Sequence, residues 1–217
     1  MKKLRDWLGA DKGTAAPAPP SVRTVDPARL LYSLATIATD DYPLEPMAGP
    51  PGEADLVFHE DDWRQIEFLA HDRRDEIARK LTSLKAFEAR NRVAGGYREI
   101  FERELDARPV LAGPAAMLGC MFGAAAGPGP VLFHGGGEVA GRVADAFSLP
   151  LAGKVWLYGM HDLSVLGAAM PPGADNEVLA RAFMTLSKSH GLILVDWRAQ
   201  MLLLKVADEG NLEVWRP

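Results

Sequence analysis

Apolar residues recur at helical spacing in two stretches of this chain. Ile77, Leu81, Leu84 and Phe87 fall four, three and three apart within a charged segment, which predicts a helix from Asp72 to about Arg92. Val178, Leu179, Ala182, Phe183 and Leu186 form a second stripe. Asp175 or Asn176 can cap its start and Gly191 can stop it. Short apolar runs read as strands at Leu56–Phe58, Ile66–Leu69, Val131–Phe133, Val155–Tyr158 and Leu192–Val195. Gln200–Val206 and Leu212–Trp215 read as a hairpin across Asp208–Asn211. Further helices are expected at Leu30–Ile37, at Tyr97–Leu105, between Pro114 and Pro128, and at Glu138–Phe147, where Val139, Val143 and Phe147 share a face.

Together these elements predict an α+β fold. Its mixed sheet would contain antiparallel strand pairs at 56–69 and 200–215 and one βαβ unit at 131–158. Four to five helices would cover it, with a three-layer α/β arrangement as the alternative. The 217 residues suffice for one sizeable domain. Residues 1–27 hold the proline-rich run Ala15–Pro20 and read as a flexible basic arm. Residues 28–217 read as a single globular domain, or two lobes meeting near 109–130.

Charge is distributed unevenly. Between residues 53 and 108 lie 14 acidic and 11 basic side chains, whereas Pro109–Gly137 holds no Asp, Glu, Lys or Arg. Gly119, Gly123 and Gly127 recur there at spacing four, which predicts a closely packed core helix with Cys120 buried inside it. Prolines 114 and 128 leave it too short to span a bilayer, so no transmembrane segment is expected. The net charge of −5 argues against a general nucleic-acid binder. A single cysteine permits no internal disulfide and fits a reducing, cytoplasmic setting. Leu4, Trp7 and Leu8, ringed by Lys2, Lys3 and Arg5, make residues 1–8 a candidate for weak docking to a membrane or partner.

His134-Gly135-Gly136-Gly137, read between a strand and a helix, is the strongest candidate site. Such a junction aims free N–H groups at one point with a helix dipole behind them, and His134 or Arg142 could add charge for a phosphate or carboxylate. A tight structural turn is the simpler reading. Gly135, Gly137 and Ala140 match a dinucleotide fingerprint, but the acid due about 20 residues later is missing, and no cofactor is assigned. The same four residues match an esterase oxyanion element, but no G-x-S-x-G follows. No catalytic residue and no metal ligand is assigned.

Asp62-Trp63-Arg64 and Asp196-Trp197-Arg198 repeat a tripeptide between apolar strands. In each, tryptophan is expected to cover a sheet end while Asp and Arg satisfy the turn. Without a complete catalytic constellation, a non-enzymatic interaction or accessory protein is the leading reading, with another protein as partner. Its surface would comprise Trp7, the acidic turn Glu60, Asp61, Asp62 with Trp63, and the helix start at Arg73 and Arg74. A small-ligand protein or enzyme using Gly135–Gly137 is the alternative.

Overall fold

A computed structural model describes residues 31–106, 108–207 and 211–217. The arm, Trp7 and the docking peptide lie outside the described residues. Among the described residues the chain is sheet-rich, with sixteen strands and three α-helices. That corrects the expected cover of four to five helices.

Eight strands form one antiparallel sheet. In sequence order these are β4 (Ile66–Ala70), β8 (Gly127–Pro128), β11 (Ala146–Pro150), β12 (Trp156–Met160), β13 (Leu166–Ala169), β14 (Leu192–Asp196), β15 (Met201–Val206) and β16 (Leu212–Trp215). Their spatial order is β16-β15-β14-β4-β13-β12-β11-β8. Directly paired residues of such a sheet face the same side. The pairs Val195↔Glu67, Glu67↔Gly167 and Gly167↔Tyr158 therefore set Val195, Glu67 and Tyr158 on one face. Leu194, Phe68, Leu157 and Phe147 lie on the other. Both faces are buried along β14, where Leu192, Ile193, Leu194 and Val195 are all in the core.

The second sheet has four strands, ordered β2 (Leu44–Glu45), β10 (Val139–Val143), β9 (Val131–Phe133) and β3 (Val57–His59). Leu132, Val143 and Leu56 from this region pack with Trp63, Ala146, Tyr158 and Val165, so the small sheet covers the Tyr158 face of the large one. Strands β1 (Thr36–Ala38) and β7 (Phe101–Arg103) pair in parallel, and β5 (Arg92–Val93) pairs with β6 (Gly96–Tyr97).

The two striped helices form where the pattern predicts. Helix α1 (Arg74–Asn91) buries Ile77, Leu81 and Leu84, and α3 (Asn176–His190) buries Val178, Ala182, Phe183 and Leu186. The Asp175 carboxylate caps α3 by accepting from the Glu177 amide, and Gly191 ends it in the left-handed region. Helix α2 (Ala116–Phe122) is only seven residues long. Its Cys120 is exposed, not buried as the charge-free context predicted.

Several expectations are overturned. Residues 131–158 form no βαβ unit: β9, β10, β11 and β12 occupy the segment, and β10 pairs antiparallel to β9, as β12 does to β11. Val139, Val143 and Phe147 do have helical spacing, but Gly141 at φ 149° passes so close to β2 that a Cβ would lie 2.7 Å from the Glu45 carbonyl oxygen. Asp145 then turns the chain at φ 51°. Residues 56–69 are no hairpin either, because β3 pairs in parallel with β9 while β4 enters the large sheet. The expected helices at 30–37 and 97–105 give way, among the described residues, to β1, β6 and β7.

One contact dictates a glycine. The ring of Tyr158 crosses β13 at Gly167, where an added Cβ would fall 2.5 Å from Tyr158 Cζ. Beyond it the phenol oxygen accepts the Arg64 amide at 2.8 Å. Gly167→Ala should lower stability by about 2 kcal/mol through overpacking. Urea denaturation measures this, and an unchanged midpoint would contradict the assigned contact.

Candidate functional site

Parallel pairing of β3 with β9 sets His59 opposite Phe133, so the segments that follow both strands emerge side by side. One is the 3₁₀ turn Glu60–Asp62, the other the hairpin tip His134–Glu138. His134 Nδ1 and Glu60 Oε2 meet at 2.7 Å, joining two segments that the sequence singled out separately. Within the turn, the His59 Nδ1 accepts the Asp61 amide at 3.2 Å.

The glycines lie in a β-hairpin, not at the mouth of a helix. His134 N–H donates to the Glu138 carbonyl at 2.9 Å and Gly137 N–H to the His134 carbonyl at 3.1 Å. Gly136 and Gly137 adopt φ of 98° and 85°, which is why the turn is written in glycine. Residues 134–139 are exposed throughout, and a Cβ added at Gly135, Gly136 or Gly137 would meet nothing within 4 Å. Arg142 is not part of this group. It lies opposite Val131 at the far end of β9, donating to Asp55 Oδ1 and to the Gly129 carbonyl, each at 2.8 Å.

Four carboxylates, Asp40, Glu60, Asp61 and Asp62, gather at this end of the molecule, with Asp40 ion-paired to Arg64 and Asp62 to Arg198. Tyr42 is pushed up to about 12, first by burial and then by the negative charge of Glu60, Asp61 and Asp40. Tyr42 itself packs on Trp63 with ring centres 4.9 Å apart.

Of the other expected surface residues, Trp63 is buried against Tyr42, Phe58 and Tyr158 and supports the turn from beneath. Arg73 is buried too, donating to Glu76 and to the Asp106 carbonyl, whereas Arg74 is exposed. Neither arginine belongs to the turn-and-hairpin group, because they open α1 at the other end of β4.

Under the turn lies a charge cluster that the sequence reading missed. Glu67 is fully buried. Its Oε2 accepts Arg64 Nε at 2.7 Å, its Oε1 accepts the Trp197 indole at 2.8 Å, and Arg103 Nη1 sits 3.7 Å away. Arg64 also pairs with Asp40, while Arg103 donates to the Thr36 hydroxyl and the Arg64 carbonyl and lies 4.6 Å from the centre of the Trp197 ring. Burial pulls the Arg103 guanidinium down to about 10, so it stays charged at neutral pH. Burial also opposes the charge on Arg64, but Glu67 and Asp40 more than offset it and hold that guanidinium above its ordinary value. Gln65 Nε2 completes the floor by donating to the carbonyls of Thr36 and Asp61, at 2.8 and 2.7 Å. The one available signal was Glu67 itself, a lone charge inside the apolar run Ile66–Leu69.

Both repeated tripeptides end here. Trp197 N–H donates to the Gln65 carbonyl at 3.0 Å, and Arg198 reaches Asp62. The two elements are therefore direct neighbours across β4 and β14. Both tryptophans are buried, and one arginine, Arg64, supplies buried charge rather than satisfying a turn.

Comparison with known proteins adds no precedent: no family model, curated protein or solved structure matches the chain significantly. Among the described residues, no helix is long and apolar enough to cross a membrane, and no three His, Cys, Asp or Glu side chains are placed to hold a metal ion.

Two outcomes test this geometry. Glu67→Gln removes a carboxylate facing two buried guanidinium groups and should cost about 3 kcal/mol. Chemical denaturation reads the loss, and wild-type stability in the variant would contradict it. The second concerns Asp55, whose carboxyl the Arg142 hydrogen bond holds below its ordinary 3.8. A lowered folded-state value means the pairing stabilises fully above the ordinary value and is lost as pH falls through the folded one. The stability gap between wild type and Asp55→Asn should therefore be present at neutral pH and close only as pH falls below the ordinary 3.8. A gap that persists or widens on acidification would refute the pairing.

Proposed function

We propose that this protein is a non-enzymatic interaction module whose docking surface is the acidic turn Glu60–Asp62 together with the hairpin tip His134–Glu138. The observation that carries the reading is the placement of Glu60 and Asp61 together beside Tyr42, next to an exposed tip that Glu60 holds through His134. Carboxylates grouped on a rigid sheet end attract a cationic partner and orient its approach. The glycine tip has no side chains to block a partner's backbone, and Val139, 40% exposed, offers an apolar contact at its margin. The partner that fits is a protein presenting a lysine- or arginine-rich segment. Trp63 and the Glu67 cluster support the surface from below and do not touch the partner.

The small-ligand reading of Gly135–Gly137 has less behind it. Strand β10 stands where the helix dipole was expected, and the loop lies beside Glu60 and Glu138, which repel an anion.

Affinity capture on the full-length chain should recover a stoichiometric protein partner at low salt. Raising the salt should release it, because exposed charge attraction is screened within about 8 Å at physiological ionic strength. Glu60→Lys/Asp61→Lys should weaken the association at least about tenfold while leaving the melting temperature close to wild type. Equal retention by the reversed variant would overturn the assignment of the surface. Measurable turnover by a chain that captures no partner would overturn the class.

A further inference from the structure

The charge-free segment 109–137 contributes its hairpin tip, His134–Gly137, to the proposed acidic surface, but its earlier part around α2 lies outside that surface and leaves apolar side chains only partly covered. On α2, Met117, Met121 and Phe122 are half-buried and Cys120 is exposed. Between the end of this helix, the β11–β12 connection and α3 lies a cleft of about 320 Å³. Its walls are Phe122 and Ala124 from the α2 end, Leu151 and Ala152 from the connection, and Val178 and Ala182 from α3.

Two features make this a formed cleft rather than a loose surface. Gly153, at φ 60°, passes so close to the start of α3 that a Cβ there would lie 2.7 Å from Asp175 Cβ and 3.1 Å from Val178 Cγ2. The Gly153 carbonyl accepts the Asp175 amide at 2.9 Å, which fixes the connection to the capped end of α3. Gly123 ends α2 in the left-handed region at φ 62° and turns the chain along the opposite wall.

Polar side chains are few in the lining. Arg181 is the one charged side chain there, and the Thr185 hydroxyl already donates to the Arg181 carbonyl at 3.0 Å. Arg181 faces Glu177 at 3.5 Å, but both side chains are more than half exposed. Such a pair holds its partners weakly and can be exchanged for a ligand carboxylate. An open cleft whose lining is about half apolar and half polar, with a volume at the small end of the range for ligand sites and a single cation at the rim, suits a ligand with one apolar and one anionic end. We propose that the α2–α3 cleft binds an anionic amphiphile, a carboxylate carried on a short hydrocarbon chain, with the chain against Phe122, Leu151 and Val178 and the carboxylate on Arg181.

Octanoate tests the proposal, with octanol and octyltrimethylammonium as neutral and cationic counterparts. Titration into the full-length chain, followed by amide NMR, should shift Gly123, Ala124, Ala152 and Ala182 saturably with octanoate, more weakly with octanol and least with the cation. Arg181→Glu, at an exposed position, should weaken octanoate about tenfold and leave octanol unchanged. Ala152→Trp, placed at the exposed rim, should block both. Overturning results are unmoved amides at millimolar octanoate, equal octanoate binding by Arg181→Glu, or binding of the cationic analogue as tight as that of octanoate.

Discussion

The buried carboxylate of Glu67 is the constraint on which the rest of the arrangement depends. It sits on β4, the strand between β14 and β13, and so between the C-terminal strands β14–β16 and the β11–β13 meander. A bare carboxylate there would be untenable, because leaving water costs an ion several kcal/mol before any partner is counted, on the order of the entire stability of a domain. Two arginines and an indole N–H meet the charge, and each brings its own element. Arg64 anchors the turn before β4, Arg103 brings β7 and through Thr36 also β1, and Trp197 brings the β14–β15 turn. Such a cluster does not add stability over an apolar core of the same shape. What it adds is register, since a one-residue slip of β4 would turn Glu67 to the opposite face, away from the Trp197 indole and the Arg103 guanidinium.

The acidic surface is built on this base. Glu60–Asp62 is the segment that enters Trp63, Arg64 and Gln65, and those three residues are buried within the cluster or against Tyr158. Gln65 donates to the Asp61 carbonyl, and Arg198 of the second tripeptide takes up Asp62. The turn is thus held from below by charge and from the side by the hairpin through His134. For the docking role proposed above, a turn held in this way would keep the ordering cost of association low.

What the sequence disclosed follows the range of the forces involved. Helices α1 and α3 were legible because stripe and stop lie within one segment, and the β15–β16 hairpin because its strands adjoin. The expected helix at 138–147 failed on a long-range contact, the approach of Gly141 to Glu45, which no local spacing reports. The charge cluster was hidden for a related reason: in a stretch crowded with acids and bases, Arg64 and Arg103 look like solvent-facing residues until β7 and β4 are brought together. Both halves of the candidate surface were visible as separate features. Their adjacency was not, because it arises from parallel pairing of β3 with β9 across more than seventy residues.

Hydrogen exchange at the Trp197 indole reads the central constraint directly. This N–H is buried and bonded to Glu67 at 2.8 Å, so it reaches solvent only when β4, β7 and β14 separate. Its exchange should be among the slowest in the protein, with an opening free energy equal to that of global unfolding and an equal dependence on denaturant. Exchange at a rate typical of exposed indoles, or by an opening independent of denaturant, would show that the cluster is a local contact and that the fold does not depend on it.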